Sequence, residues 1–127
     1  MRSVTIGIIF IMLFITGCQT NNEEVVNTHG EIENLKRLNS FIQSVENQSN
    51  DVIDYVRYGI EGQRGLMTLT FDGEQVNVSY SVDGNFIEKF SCKKIEIEKG
   101  NEMKKYILVQ CSGNFNGDLE LLSVPNK

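Results

Sequence analysis

The stretch EIENLKRLNSFIQSVEN, residues 31–47, has the apolar spacing of an amphipathic helix. Its apolar side chains recur mostly at intervals of three positions, and polar residues lie between them. A helix with this spacing has one apolar face and one solvent-exposed polar face. The apolar residues are Ile32, Leu35, Leu38, Phe41, Ile42 and Val45. Thr28 and Glu31, three positions apart, fit a capping box at the start. The sequence therefore predicts one helix that lays a single face on a core.

The chain after Asp51 has the pattern of strands and tight turns. Asp-Gly at 72–73 and 83–84 and Asn-Gly at 116–117 suit hairpin turns, because these residue types tolerate the positive φ that type I′ turns need. Residues 99–102 are a fourth candidate turn. We expect about five antiparallel strands.

The first hairpin can be aligned from its turn. A two-residue turn at 72–73 places Leu69 opposite Val76 and Met67 opposite Val78. Apolar side chains then meet on one face, which predicts a hairpin with one buried and one solvated side.

The turn at 83–84 is compatible with two registers. A two-residue loop would put Phe86 and Phe90 on the solvated side. A three-residue loop that includes Asn85 instead places Val82 opposite Phe86. The same register places Val78 opposite Phe90, and we favour it because both rings then lie on the buried side.

Together these elements predict an α+β domain. One N-terminal amphipathic helix would pack on an antiparallel meander of about five strands, with the sheet wrapping the apolar face of the helix. In element order the domain resembles a cystatin-type roll, a likeness of fold that carries no function with it.

Cys92 and Cys111 are an even pair that an exported domain would join as a disulfide. A turn centred between residues 101 and 102 places them opposite each other, in the register that also pairs Ile95 with Leu108. Side-chain alternation along the strands then points the cysteines away from the Ile95 face, unless a bulge near residues 93–94 turns them inward. The sequence therefore does not decide which face of the sheet carries the disulfide. The bridge closes a loop of about 20 residues, which stabilises the fold by roughly 3 kcal/mol. A redox-active or metal-binding pair would need CxxC spacing or a nearby histidine.

The first 18 residues have the features of a lipoprotein export signal. Arg2 precedes an apolar run from Val4 to Ile15, which is too short to span a bilayer comfortably, since a span takes about 20 residues. The tetrapeptide Ile-Thr-Gly-Cys at 15–18 resembles the bacterial lipobox, in which the cysteine is lipidated and becomes the new N-terminus. We predict a signal peptide over 1–17 and acyl chains such as palmitate on Cys18, which hold the protein on the extracytoplasmic face of the cell membrane. An ordinary signal peptide or an uncleaved anchor ending in cysteine is the alternative.

The rest of the chain is predicted to have a simple organisation. Residues 18–27 would form the lipidated cysteine and a flexible polar tether, and residues 28–127 a single α+β domain. The full chain has 12 basic and 17 acidic residues and a net charge of −5, and loss of Arg2 with the signal makes it one unit more negative. Because phosphate binding needs clustered lysine and arginine, we expect no nucleic-acid partner.

Few residues point to catalysis. His29 is the only histidine, and a structural or exposed role is favoured over that of a base or ligand. The carboxylate pairs Asp51/Asp54 and Glu96/Glu98 are the candidates for acid–base chemistry, but strand alternation explains the second pair as a solvated face. No nucleophile motif, phosphate loop or calcium loop occurs in the sequence. We therefore expect a non-enzymatic protein without catalytic residues, metal or cofactor.

Several different short motifs lie along the chain from Val25 to Cys111. They are Val25-Val26-Asn27-Thr28-His29-Gly30-Glu31, Asn34-Leu35, Val56-Arg57-Tyr58, Ile60-Glu61-Gly62 and Phe71-Asp72-Gly73. Together they resemble a family of small Gram-positive lipoproteins catalogued as domain of unknown function 4362. That family also has a late cysteine pair, and it usually shows Asp-Pro where this chain has Gln-Arg-Gly at 63–65. The resemblance implies an envelope location and supplies no catalytic residues, because the family has no assigned activity.

These observations favour a non-catalytic binding or interaction module at the membrane, with an envelope protein as its partner. Tyr55, Arg57 and Tyr58 are the first candidates for a contact patch. Two alternatives stay open: an inhibitor or immunity-type protein, suggested by the roll-like element order, and a hydrolase of envelope material that uses aspartate and glutamate. Carboxylates converging near His29 would favour the hydrolase, whereas an exposed apolar or tyrosine-rich surface would favour binding.

Overall fold

The computed structural model describes residues 23–126, which form nine strands and one helix. The strands are β1 (Glu24–Thr28), β2 (Glu31–Glu33), β3 (Asp51–Tyr58), β4 (Arg64–Phe71), β5 (Val76–Val82), β6 (Asn85–Cys92), β7 (Lys94–Lys99), β8 (Met103–Gly113) and β9 (Gly117–Pro125). The helix, α1, spans Leu35–Glu46. The predicted signal peptide over 1–17 and the lipidation of Cys18 lie outside the described residues. Within residues 23–126 no helix is long and apolar enough to cross a membrane.

The predicted helix is confirmed, but it begins later than expected. It starts at Leu35, and Asn34 precedes it in the left-handed conformation with a φ of 62° and no side-chain cap hydrogen bond. Its apolar stripe faces the core as predicted. The buried residues of the stripe are Leu38, Phe41, Ile42 and Val45.

The residues before the helix form a hairpin instead of a capping box. Thr28 pairs with Glu31 across the β1–β2 hairpin. His29 and Gly30 form the two-residue turn, with φ angles of 53° and 96°, as a type I′ turn requires. The predicted capping box is therefore wrong, because its two residues are strand partners.

The strand β1 joins the sheet through a pairing that local sequence patterns do not predict. It runs parallel to β3, with Val25 in register with Tyr55 and fully buried. Parallel neighbours need a crossover connection, which β2 and α1 supply here. The strand β1 begins at Glu24, so residues 24–27 of the predicted 18–27 tether belong to β1.

The predicted fold class, one helix on an antiparallel sheet of about five strands, is wrong. The nine strands form one sheet in the order β2-β1-β3-β4-β5-β6-β8-β7, with β9 on the other edge of β8. About 62% of the described residues lie in strands, and the sheet curls nearly closed around α1. The domain is therefore mostly β and not a five-stranded cystatin-type roll. The difference arises because β1 and β2 are too short for a periodic pattern, and because seven strands follow residue 50.

The hairpin between β4 and β5 has a longer turn than predicted. Leu69 lies opposite Val78 and Met67 opposite Tyr80, each two positions from its predicted partner. Residues 72–75 form a four-residue connection in which the Asp72 carboxylate accepts two backbone N–H groups, and these bonds lower the pKa of that carboxyl. Because the shift is two residues, the predicted buried face is retained.

The hairpin between β5 and β6 combines features of both predicted registers. Its loop has two residues, and Val82 pairs with Asn85. A bulge farther along the strands then shifts the register, so that Val78 pairs with Phe90 as predicted. The predicted pairing of Val82 with Phe86 is wrong, because the extra residue lies within the strand and not in the loop.

Cys92 and Cys111 form the predicted disulfide and are buried in the core. β7 and β8 pair in the predicted register, with Ile95 opposite Leu108. The strands are irregular next to the cysteines: residue 93 separates β6 from β7, and Gln110 has a φ of 53° where the β8–β9 register shifts. These irregularities turn both cysteines into the core that contains Ile95. The disulfide therefore lies on the inner face of the sheet.

Two tyrosine hydroxyls make long-range hydrogen bonds: one joins distant strands of the sheet, and the other joins the sheet to the helix. The Tyr55 hydroxyl donates to the backbone oxygen of Leu121 on β9 and accepts from the Asn27 amide on β1, both at 3.0 Å. The Tyr106 hydroxyl on β8 donates to Asn39 Oδ1 of α1 at 2.8 Å. Burial raises the pKa of Tyr55, so its hydroxyl keeps its proton and remains a donor.

An ion-pair cluster joins α1 to the start of β3. The Arg37 guanidinium donates to both carboxylate oxygens of Asp51, and the Ser44 hydroxyl donates to Asp51 Oδ2 at 2.9 Å. Burial on its own would raise the pKa of Asp51, but these hydrogen bonds outweigh it and the pKa is lowered. The same hydrogen bonds raise the pKa of Arg37.

Replacing Tyr55 with phenylalanine tests the link between β3 and β9. The change leaves the Leu121 carbonyl without its donor, so we expect the free energy of unfolding to fall by about 1–3 kcal/mol, measured by urea denaturation. Tyr58→Phe is the matched control, because the Tyr58 hydroxyl has no hydrogen bond within the described part of the chain. Equal stability of the two variants would show that the Tyr55 hydroxyl does not hold the sheet.

Asp51→Asn tests the ion pair through its pH dependence. Because the folded-state pKa of Asp51 is lowered from 3.8, its carboxylate adds stability above that value, and the addition is lost as pH falls through the folded-state pKa. We expect the wild type to exceed the variant by about 1–3 kcal/mol near neutral pH, with the gap narrowing below about pH 4 in urea denaturation. Glu98→Gln, at an exposed position on β7, is the control and should show no such gap. A gap that is constant with pH would contradict the assignment.

Candidate binding cleft at the loop end

Three chain connections meet at one end of the curled sheet, which we call the loop end. They are the β1–β2 turn at 29–30, the β3–β4 loop at 59–63 and the β5–β6 turn at 83–84. Thr28 is in register with Tyr58, which places the first connection beside the second. The Asp83 N–H donates to the Arg64 backbone oxygen and Asp83 Oδ1 accepts from the Arg64 N–H, both at 2.9 Å. This reciprocal pair holds the third connection beside the second.

Beyond the core, the inner face of β3, β4 and β5 continues towards the loop end as two rows of side chains. The rows, each read across the three strands, are Tyr55, Met67 and Tyr80, then Arg57, Gly65 and Val82. The neighbouring row on the same face is buried under α1, whereas these two rows line an open cleft of about 450 Å³. Gly59 and Gln63 from the β3–β4 loop complete the lining of this Arg57 cleft.

Gly65 lets the ring of Tyr80 lie close to the strand. A Cβ atom at this position would sit 3.5 Å from Tyr80 Cε2, 3.6 Å from the Tyr80 hydroxyl and 3.3 Å from the backbone oxygen of Arg57. Glycine inside a strand often marks such a close approach. Here the missing side chain leaves space in the cleft beside the Tyr80 ring.

The charge of Arg57 is not neutralised by a neighbour. Its side chain is exposed and makes no hydrogen bond or ion pair within residues 23–126, whereas Arg37 and Arg64 each hold a carboxylate. Burial raises the pKa of Tyr55, and the Arg57 charge acts against that rise, so the guanidinium lies near the phenol. Because no lining residue of the cleft is acidic, the cleft presents a net positive charge.

Exposed apolar side chains are concentrated at the loop end. Ile60 on the β3–β4 loop is 97% exposed, and Phe86 and Ile87, just after the β5–β6 turn, are 63% and 52% exposed. Of the large apolar residues that are exposed in the described chain, only Met103 lies elsewhere. Exposed apolar groups concentrated at one end of a domain are typical of a contact surface.

The sequence match places the cleft within a known domain family. The family model described as a domain of unknown function, DUF4362, matches residues 22–107. The chain belongs to this family. All residues that line the Arg57 cleft fall inside the DUF4362 region, whereas β9 and Cys111 lie beyond it. No curated protein and no solved structure matches the chain.

The three predicted contact residues in the DUF4362 region do not form one patch. Arg57 lines the cleft, and Tyr55 is 3% exposed and reaches the cleft from the edge of the core. Tyr58 is on the opposite face of β3, because neighbouring side chains alternate along a strand. His29 is an exposed turn residue in a second depression beside Arg57, where Glu120 is the one carboxylate among the described lining residues.

The predicted carboxylate pairs do not converge on a site. Asp51 is held by Arg37 on the inner face, and Asp54 lies on the outer face of the same strand. Glu96 and Glu98 lie along the exposed side of β7. Among residues 23–126, no group of three or more histidine, cysteine or acidic residues is placed to hold a metal ion.

Sequence patterns alone do not identify Gly65, Met67 and Tyr80 as cleft residues. Their alignment depends on the four-residue connection at 72–75, which a two-residue turn would shift. The one usable signal is the glycine at 65 inside an otherwise regular strand pattern.

Proposed function

We propose that this chain is a lipoprotein anchored to the extracytoplasmic face of the cell membrane, and that its domain is a non-catalytic binding or interaction module. The observation that carries the proposal is the loop end, where an open cleft with an unpaired Arg57 and the exposed side chains of Ile60, Phe86 and Ile87 lie at the same end of the sheet. Partly apolar concave sites with few polar groups are typical of binding. The expected partner is another protein of the envelope, which would pack on the exposed apolar side chains.

The spacing of the lipobox and β1 supports this arrangement. β1 begins at Glu24, six positions after Cys18, which corresponds to a reach of about 20 Å at most. β1 then runs towards the loop end for about 13 Å, at about 3.3 Å per residue. Acyl chains on Cys18 would therefore hold the domain with its loop end facing away from the membrane, where a partner can approach.

Two alternative functions have less support. The inhibitor or immunity-type hypothesis rested on a roll-like element order, and the nine-stranded sheet removes that basis. A carboxylate-dependent hydrolase of envelope material needs two converging carboxylates, and the described lining of the depression at His29 offers Glu120 alone. The unpaired Arg57 and the apolar groups near it favour binding.

Cys18→Ser tests the anchor. A serine at this position cannot accept the thioether-linked lipid, so we expect loss of palmitate labelling and release of the protein from the membrane fraction. Metabolic labelling and fractionation of cells measure both effects. Cys92→Ala/Cys111→Ala is the control, because it removes the disulfide and leaves Cys18 in place. A Cys18→Ser protein that still labels and still sediments with membranes would refute the lipoprotein assignment.

The double variant Ile60→Ser/Phe86→Ser tests the loop end as a contact surface. Both side chains are more than half exposed, so stability should change by no more than about 0.5 kcal/mol for each, while a partner that packs on them should be lost. Cross-linking followed by pull-down of the lipidated protein from solubilised membranes measures recovery. Met103→Ser, which also removes an exposed apolar side chain, should retain the partner. Recovery of nothing above background by the wild type, or equal recovery by all three proteins, would count against the interaction.

A further inference from the structure

The Arg57 cleft has the dimensions of a small-molecule site. Its volume is about 450 Å³, within the range of about 300–1,000 Å³ that such sites occupy. Tyr55, Met67, Tyr80 and Val82 provide a largely apolar wall, and the strands that carry them are paired in continuous register. A site built on paired strands is held in shape before a ligand arrives.

The polar chemistry of the cleft selects for negative charge. Arg57 contributes the one full charge among the lining residues, and no acidic side chain of the described chain pairs with it. Arg37 and Arg64, the other arginines among residues 23–126, each pair with a carboxylate. A guanidinium donates two parallel hydrogen bonds to a carboxylate, and a single guanidinium balances a single negative charge. A phosphate dianion would need further cations that the cleft does not have.

We propose that the Arg57 cleft binds a small amphiphilic carboxylate. The carboxylate would accept hydrogen bonds from the Arg57 guanidinium, and the apolar body would lie against Met67 and the ring of Tyr80. Gly65 leaves room for this body, because a side chain there would occupy part of the cleft beside the Tyr80 ring. The inference rests on the binding function proposed above and names the ligand class for one part of the loop end.

A titration with matched probes tests both halves of the ligand. The probe is 3-(4-fluorophenyl)propionate, followed by fluorine NMR with the full-length lipidated protein in phosphatidylcholine nanodiscs, and empty nanodiscs provide the blank. We expect saturable binding above the blank. The neutral amide of the same acid lacks the charge, and acetate lacks the apolar body, so each should bind about tenfold more weakly or worse.

Variants locate the binding within the cleft. Arg57→Gln should weaken binding of the fluorinated acid by about tenfold or more, because it removes the charged partner. Arg64→Gln is the matched control, since this arginine belongs to the next strand and pairs with Glu24, and it should bind like the wild type. Gly65→Ala should also weaken binding while the thermal unfolding midpoint stays near that of the wild type, because the added methyl group takes up space in the cleft and lies in ordinary contact with the Tyr80 ring.

Several results would overturn the inference. They are no saturable signal above empty nanodiscs, equal affinity for the acid and its amide, or unchanged affinity in Arg57→Gln. If these occur while the Ile60→Ser/Phe86→Ser comparison still identifies a partner, the ligand assignment fails and the interaction module stands. If the acid binds as expected and no partner is recovered, the cleft stands and the protein interaction fails.

Discussion

The hydroxyl of Tyr55 is the interaction on which the shape of the domain depends. It accepts from Asn27 on β1 and donates to Leu121 on β9, so one buried group on β3 connects the strands nearest the two ends of the described chain. A curled sheet needs such a connection, because the ladder hydrogen bonds alone do not fix where its distant strands meet. These hydrogen bonds also favour one arrangement of the sheet over others, since an arrangement that left the buried Tyr55 hydroxyl without a partner would cost free energy. The sheet can then cover the apolar stripe of α1 on several sides.

The same residue divides the inner face of the sheet into two functional parts. On one side of its row, Ile53, Leu69 and Val78 are buried and contribute to the core. On the other side, Arg57 and Val82 line the cleft. Stability and recognition thus come from neighbouring rows of the same strands. This arrangement gives the cleft a firm base, and it explains why an exposed arginine occurs in direct continuation of a hydrophobic face.

Local features of this architecture can be predicted from the sequence, whereas features that depend on distant pairings cannot. The apolar stripe predicts α1, and the register of Ile95 with Leu108 predicts the disulfide, because both depend on nearby residues. The parallel pairing of β1 with β3 joins segments about 30 residues apart, and neither segment carries a local signal for it. Identical Asp-Gly dipeptides at 72–73 and 83–84 lead to turns of different length, since the Asp72 carboxylate binds N–H groups within its own loop. The sequence identifies Arg57 as a candidate contact residue. The residues that line the cleft with it, such as Met67 and Tyr80, can be identified only from the actual β4–β5 register.

The position of β7 at the end of the strand order affects whether two copies of the domain can pair through their sheets. Its outer edge has no strand beside it among the described residues, and an edge of this kind is a template for pairing with another chain. The strand reads KIEIEK, with lysine at both ends and glutamate between. Two copies that aligned their β7 strands in parallel would set lysine against lysine and glutamate against glutamate, which is unfavourable. The charged residues of β7 therefore oppose parallel, in-register pairing between two copies of the domain.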